Sequence, residues 1–326
     1  METFNGKEYL AIDIANNFGL DKESWKDRIN WVVSNYNDLE SFTDQADDKF
    51  LFIKGVKALR ATDKGEPTGF IMGLDATASG YQVMAALSGC KKTGEAVNLV
   101  YRGKRADIYR DVANYMNSNY GTNVDRSMVK KPIMTTAYGS QRQPEEVFGE
   151  DTPELKAFYD TLVERLGGAM DVMDILRETW DDTAFKHQFT MPDGHKVILP
   201  TTEMVDVKIQ ADEVEHTFTY RMRFNQPNKN GTNIIANVVH AFDGYIAREM
   251  VRKAHKQGFQ LAHIHDSFWA HPNYMNLVRL NYTEILADIS RNNYLGDVFK
   301  ELTGKDLPKE DEGLTEEILR SEYALS

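Results

Sequence analysis

Residues 259–271 read Phe-Gln-Leu-Ala-His-Ile-His-Asp-Ser-Phe-Trp-Ala-His, two short apolar runs meeting at His265-Asp266. Apolar residues on both sides of one polar dipeptide place it at the tip of a tight hairpin. Upstream, residues 232–256 carry Ile235, Val239, Phe242, Ile246 and Met250 on one side of a helix that Gly258 stops. Downstream, residues 275–302 read as a closing helix. A short hairpin between long helices points to an α+β fold, mostly helical with short strands. The rest agrees. Residues 24–36 carry the helical stripe Trp25, Ile29, Val32 and Val33, and 96–118 and 125–138 also read as helix. Residues 68–75 are a short apolar run that suits a buried strand ending at Asp75. Val214, His216, Phe218, Tyr220, Met222 and Phe224 alternate with polar neighbours, which marks a strand, and Val205, Val207 and Ile209 form its partner in a hairpin over 203–224.

A length of 326 residues exceeds the usual ~100–200 per domain, so two lobes or one large catalytic unit are expected. No repeat, low-complexity tract or Pro/Gly linker divides the chain, which favours a single interlocked unit. One cysteine excludes a disulfide scaffold and a multi-cysteine zinc site and suits a reducing compartment. Cys90 itself reads as a small buried hydrophobe, and the thirteen methionines read as core filler. His187, His195, His216 and His255 show no ligand spacing and read as structural or exposed. No apolar run reaches 18 residues, so no span of a membrane is expected, and residues 1–8 lack the blocks of a signal peptide.

Charge is uneven. The net charge of −12 argues against a protein whose main task is gripping phosphate backbones. Yet between Lys91 and Gln143 ten basic residues face four acids, a local excess of six positive charges. Lys309–Ser326 carries six acids against two bases and reads as a solvated acidic face.

Three segments place reactive side chains where elements end or turn. Asp75 closes the 68–75 strand, a rigid place for a metal ligand, although a lone strand-end Asp more often caps the next helix. Asp266 sits at the hairpin tip, where ordinary turn chemistry also favours Asp. Two such carboxylates brought together would bind Mg²⁺ through oxygen. On the 125–138 helix, Arg126, Lys130, Met134 and Tyr138 drift by ~40° per step and form one stripe. Two cations and then an aromatic on one face suit a nucleotide, while the plain alternative is a solvated basic face with Met134 and Tyr138 packed inward. Pro132 predicts a kink in that helix.

Taken in order, Asp75-Ala76-x-x-Ser79-Gly80-x-Gln82, Arg126-x-x-x-Lys130 with Tyr138-Gly139 after seven residues, and His265-Asp266-Ser267-Phe268 resemble motifs A, B and C of the single-subunit RNA polymerases of phages and mitochondria. Residues 19–33, 94–99, 107–109, 191–194, 237–244 and 317–324 extend the likeness over nearly the whole chain. The resemblance implies a polymerase right hand with a small antiparallel palm sheet. Residues 1–65 would lead into a palm of 66–95 and 240–326, and 96–239 would form the fingers. Asp75, Asp266 and the Ala76 carbonyl would hold two Mg²⁺ ions. Arg126 and Lys130 would bind the triphosphate, with Lys130 able to protonate the leaving pyrophosphate. Tyr138 would stand beside the sugar, His240 would reach the nucleotide or the hybrid minor groove, and His265 would touch the RNA 3′ end.

A family-A DNA polymerase shares the motif B spacing, but it places a bulky Glu five residues after the motif A Asp, where this chain has Gly80. Met134 likewise occupies a position usually Phe or Tyr in the DNA enzymes. Ribonucleotides are therefore expected. A metal-dependent nuclease and a catalytically degenerate nucleic-acid-binding subunit are the other readings. No Gly-Arg dipeptide occurs, so the family's Asp-x-x-Gly-Arg element is absent, and neither its N-terminal region nor its thumb is expected here. The chain thus resembles the larger chain of the two-chain polymerase of Enquatrovirus-type phages, which implies a smaller partner chain; a truncated fragment is the alternative. Gln141-Arg142-Gln143-Pro144 and a short 203–224 hairpin predict use of single-stranded or pre-opened DNA template, with a single-stranded-DNA-binding accessory protein among the partners. The setting implied is the cytoplasm of an infected bacterial host.

Overall fold

The computed structural model describes every residue except 212–215, 230, 232 and 310–312, together with the side chains of all described residues but Ala211 and His216. Val214 and Glu215 of the alternating run and Thr232 therefore lie outside the described residues. The chain opens with α1 (Gly6–Ala15), a π-helical turn over Asn16–Leu20, α2 (Trp25–Ser34), a 3-10 stretch over Tyr36–Gln45 and α3 (Lys49–Asp63). Strand β1 (Met72–Asp75) leads into α4 (Ser79–Ser88), followed by α5 (Lys91–Ala96), α6 (Ile108–Tyr120), α7 (Arg126–Thr136), α8 (Arg142–Phe148) and α9 (Pro153–Glu178). Two ribbons follow, β2 (Lys186–Thr190) with β3 (Lys196–Pro200) and β4 (Thr202–Ala211) with β5 (His216–Asn225). Then come α10 (Asn233–Lys256), β6 (Ala262–Ile264), β7 (Ser267–Ala270), α11 (Met275–Arg291), α12 (Tyr294–Thr303) and α13 (Thr315–Leu319).

The expected mostly helical α+β character holds, and the 259–271 hairpin forms as β6 and β7. Its turn is His265-Asp266, with His265 at φ 53. β7 is the middle strand of an antiparallel sheet ordered β1-β7-β6, in which Asp75 lies opposite Ser267. The sheet is small, so helices must cover it. Helix α4 packs against α9, α10 and α11, and its Gln82 ties four segments together. The Gln82 amide donates to the carbonyls of Val97 and Ala324 and accepts from the Tyr282 hydroxyl at 2.7 Å. Ile235, Val239, Phe242, Ile246 and Met250 are all buried, as their spacing predicts. Two apolar clusters form among the described residues: the larger runs from Phe4 to Leu325, and the second joins Ile14 of α1 and Val32 of α2 to Phe52, Val56 and Leu59 of α3.

Several expectations need correction. The strand ending at Asp75 begins only at Met72. Helix does not run over 96–118, because 97–107 is a loop before α6. Asn98 adopts φ 60 there, and its side chain clamps the loop by accepting from Ala106 N and donating to Ala106 O. Asn and Asp side chains that bind nearby backbone compete with helix. The 275–302 helix is two helices for the same reason: Asn292 is extended, and the Asn293 side chain caps α12 by accepting from Gly296 N. Helix α7 continues through Pro132 to Thr136.

The methionines are not all core, since Met128, Met134, Met204 and Met222 are exposed. Cys90 is half-buried; its sulfur accepts from the Thr93 hydroxyl, and a Cβ on Gly168 of α9 would lie 2.2 Å from its own Cβ. His187 is structural, stacked 4.1 Å from Trp180 and accepting from Asp181 N. The acidic tail is no plain solvated face. Tyr323, Ala324 and Leu325 are buried, Tyr323 stacks on Trp25, and Glu322 pairs with the buried Arg279. The 203–224 hairpin holds the register Val205↔Met222, Val207↔Tyr220 and Ile209↔Phe218, and Ile209, Phe218, Tyr220, Met222 and Phe224 stay exposed.

Asp13 lies on the buried side of α1, 6 % exposed, and burial pushes its carboxyl up to about 7 against the pull of Lys54. Its folded pKa exceeds the unfolded one. Between about pH 4 and 7 the folded state therefore holds the extra proton, and stability falls as pH rises through that window. Asp13→Asn should remove this component, so that its stability relative to the parent improves by about 2 kcal/mol on going from pH 5 to pH 8. Urea melts at the two pH values check this; an unchanged difference would contradict it.

Candidate active site

The sheet register builds the centre of the site. Ala76 N donates to the Asp266 carbonyl at 3.1 Å, so the chain leaving β1 runs beside the hairpin turn and brings Asp75 and Asp266 together. Asp75 is exposed and Asp266 half-buried. Burial pushes the Asp266 carboxyl above its ordinary range and the Asp75 charge adds to this, while Ser79 pulls the other way. Two carboxylates that raise each other's energy in this way favour a cation between them. Their all-oxygen chemistry fits a hard divalent ion that keeps waters or phosphate oxygens as further ligands.

Asp125 caps α7 by accepting from Ser127 N and Met128 N, which fixes where the helix starts. Arg126, Lys130, Met134 and Tyr138 all line one cleft of about 440 Å³ with Asp75, Ala76, Gly80, His265 and Asp266. The stripe read from spacing is thus a site wall, and Met134 and Tyr138 face the cleft. Arg126 donates to Asp107 at 2.8 Å and lies over the Tyr109 ring. Burial works against ionisation of Asp107, but the Arg126 hydrogen bond and charge hold its carboxyl below the ordinary range. Lys130 is exposed and has no ion pair among the described residues.

Gly80 is buried, and a Cβ there would meet Ala137 Cβ at 3.2 Å and Tyr138 Cζ at 3.4 Å. A longer side chain would have to displace Tyr138. Burial, and then the Asp243 charge, push the Tyr138 hydroxyl up to about 12, so it stays protonated and able to donate. It donates to Asp243 Oδ2 at 3.4 Å. His240 does not line the cleft directly; it stacks on Tyr138 with ring centroids 4.5 Å apart, and its Nδ1 lies 3.8 Å from the same Asp243 oxygen. Burial and the neighbouring His265 lower the His240 pKa.

Arg105, Lys22, Asp107 and Tyr109 also line the cleft and Asp243 bonds Tyr138, although spacing and turn chemistry mark none of the five. Asp243 is half-buried behind Tyr138, and desolvation followed by the Asp266 charge pushes its carboxyl up to about 7. Lys22 and Arg105 line the cleft together with Arg126. The buried Arg28 sets the turn bearing Lys22 by donating to the Glu23 and Asp21 carbonyls and to Asn16. Ser326 closes one edge: its N donates to the Asp75 carbonyl and its hydroxyl accepts from Arg105.

This clustering of elements from both ends of the chain coincides with a family-wide match. Residues 3–146 and 168–323 match the family described as DNA-dependent RNA polymerase. The chain belongs to that family. Over 98 % of its length it is 25 % identical to the DNA-directed RNA polymerase of Pseudomonas phage phiKMV, covering 47 % of that protein. The mitochondrial DNA-directed RNA polymerase 1B of Nicotiana tabacum is 24 % identical over 98 % of the chain and 38 % of its own length. A probable DNA-directed RNA polymerase of Neurospora crassa is 31 % identical over 41 % of the chain and 18 % of its own length. The chain thus spans less than half the length of these polymerases. No helix among the described residues is long and apolar enough to cross a membrane.

Proposed function

We propose that the chain carries the nucleotidyl-transfer centre of a DNA-directed RNA polymerase, extending an RNA 3′ end with ribonucleotides on a DNA template. One observation carries this: the cleft that holds Asp75 and Asp266 also holds Arg126, Lys130 and Tyr138. In this reading the β1-β7-β6 sheet belongs to a palm of 66–95 and 240–326, residues 96–239 are the fingers, and 1–65 lead in. Asp75, Asp266 and the Ala76 carbonyl would hold two Mg²⁺ ions, which would supply charge neutralisation for an in-line displacement. Arg126, fixed by Asp107, and Lys130 orient the triphosphate, and Lys130 can give the leaving pyrophosphate a proton. His265, at the hairpin turn, faces the RNA 3′ end. Phosphoryl transfer asks the protein for this kind of positioning more than for covalent chemistry.

Sugar selection follows from the Gly80 contact. The missing Cβ lets Tyr138 come close, and Tyr138 with His240 forms a stacked pair backed by Asp243. Asp243→Ala should lower the preference for ribonucleotides over deoxynucleotides by about tenfold, the worth of one hydrogen bond, while Asp243→Asn keeps most of it. Competitive single-nucleotide incorporation measures the ratio, and equal ratios in parent and Ala variant would remove Asp243 from this role.

Primed single-stranded DNA with Mg²⁺ tests the whole reading. Ribonucleotide extension supports it, a shortened primer indicates a nuclease, an unchanged primer indicates a binding subunit, and equal use of deoxynucleotides indicates a DNA polymerase. The same assay with and without a second chain tests the two-chain arrangement, and a linear duplex template tests the reliance on opened DNA. The setting proposed is the cytoplasm of an infected bacterium.

A further inference from the structure

A second concavity, of about 480 Å³, adjoins the nucleotide cleft, and Arg105, Ala106, Asp107 and Ile108 line both. Six cations border it, Lys92, Arg102, Lys104, Arg105, Arg110 and Arg165, against the carboxylates of Glu95, Asp107 and Asp111. Much of that acid is already engaged. Arg165 grips Asp111 through two bonds of 2.7 and 2.8 Å, and Asp107 is held by Arg126. Lys92 turns to Glu164 at 2.6 Å. Arg102, Lys104 and Arg110 are exposed and have no ion pair among the described residues. Arg105 is half-buried and its guanidinium donates to the Ser326 hydroxyl at 3.1 Å. Cations gathered in a concave site focus a positive potential, here within a chain of net charge −12.

The two clefts share the wall that carries Asp107, the partner of Arg126, so they meet on the side where Arg126 and Arg105 stand rather than at the Tyr138 end. We propose that this second cleft binds inorganic pyrophosphate, taking the leaving group from the nucleotide cleft past Arg105. Pyrophosphate fits a concavity of this size beside the nucleotide cleft, and its clustered oxygens accept from several guanidinium groups at once. The role as an exit rests on the polymerase reading; the binding site does not.

The test is calorimetric titration of inorganic pyrophosphate into the full chain at physiological ionic strength without divalent metal. Parent, Lys130→Gln and the triple variant Arg102→Gln/Lys104→Gln/Arg110→Gln are compared. We expect one binding event that persists in Lys130→Gln and weakens about tenfold or more in the triple variant. Arg110→Gln alone, at an exposed position on α6, should weaken the same event by a smaller factor and guards against a folding defect. Equal pyrophosphate binding by parent and triple variant overturns the proposal. So does a triple variant that loses only affinity for single-stranded DNA. Failure of primer extension with this binding intact would sink the polymerase reading and the exit role, and leave the site.

Discussion

Asp266→Asn should lower nucleotide addition by about 10³-fold or more, on the order of 4 kcal/mol of transition-state stabilisation, while leaving the fold intact or firmer. The two effects separate because of how Asp266 sits. Its folded pKa is raised, by burial first and then by Asp75. A carboxyl with a raised folded pKa destabilises the folded state above the unfolded pKa, and the penalty is relieved as pH falls. The neutral amide keeps the shape without that penalty, so the thermal midpoint at neutral pH should hold or rise. A damaged fold would lose both together. Measuring single-turnover ribonucleotide addition beside a thermal melt decides the matter; an Asn variant within tenfold of the parent would show that the chemistry lies elsewhere.

Lys130→Ala should cost about 10²–10³-fold in kcat/KM with a change in stability within about 0.5 kcal/mol. Lys130 is exposed on α7, faces the cleft and is not held by a carboxylate among the described residues, so the fold asks little of it. Arg126 differs, because its bond to Asp107 also locks α7 to the start of α6. Lys130→Arg discriminates between two uses of the charge. If Lys130 only attracts the triphosphate, Arg restores both KM and kcat. If it also gives a proton, Arg restores KM and leaves kcat low, since a guanidinium does not release its proton. Equal restoration of both would remove the proton-donor role.

How much of this was legible beforehand differs residue by residue. Asp75 at a strand end, His265-Asp266 at a turn and the Arg126-Lys130-Met134-Tyr138 stripe are short-range patterns, and each formed where spacing put it. The stripe survived Pro132, which lies on the buried side of α7. Boundaries failed where a side chain offered the backbone another partner, at Asn98 and Asn293. The apolar face of β4 and β5 shows a different limit: period two identifies strands but not whether anything covers them, and these side chains face solvent.

Alone, the sequence determined the family, the candidate site residues and the elements that carry them, β1, the β6–β7 hairpin and α7, because periodicity, turn chemistry and motif order act over a few residues at a time. Tertiary structure decided what surrounds those residues. Asp243 stands 105 positions from Tyr138, and only the packing of α10 against α4 puts it behind that ring. Arg105 became a wall of two clefts because the 97–107 loop folds back and Ser326 meets it. The turn at 265–266 could be read from the residues that make it, but the second carboxylate beside it comes from a strand almost two hundred residues earlier. Burial and charge at such meeting points depend on chain segments that no local pattern relates, so the pKa values of Asp243 and Asp266 and the placement of the free cations belong to the fold.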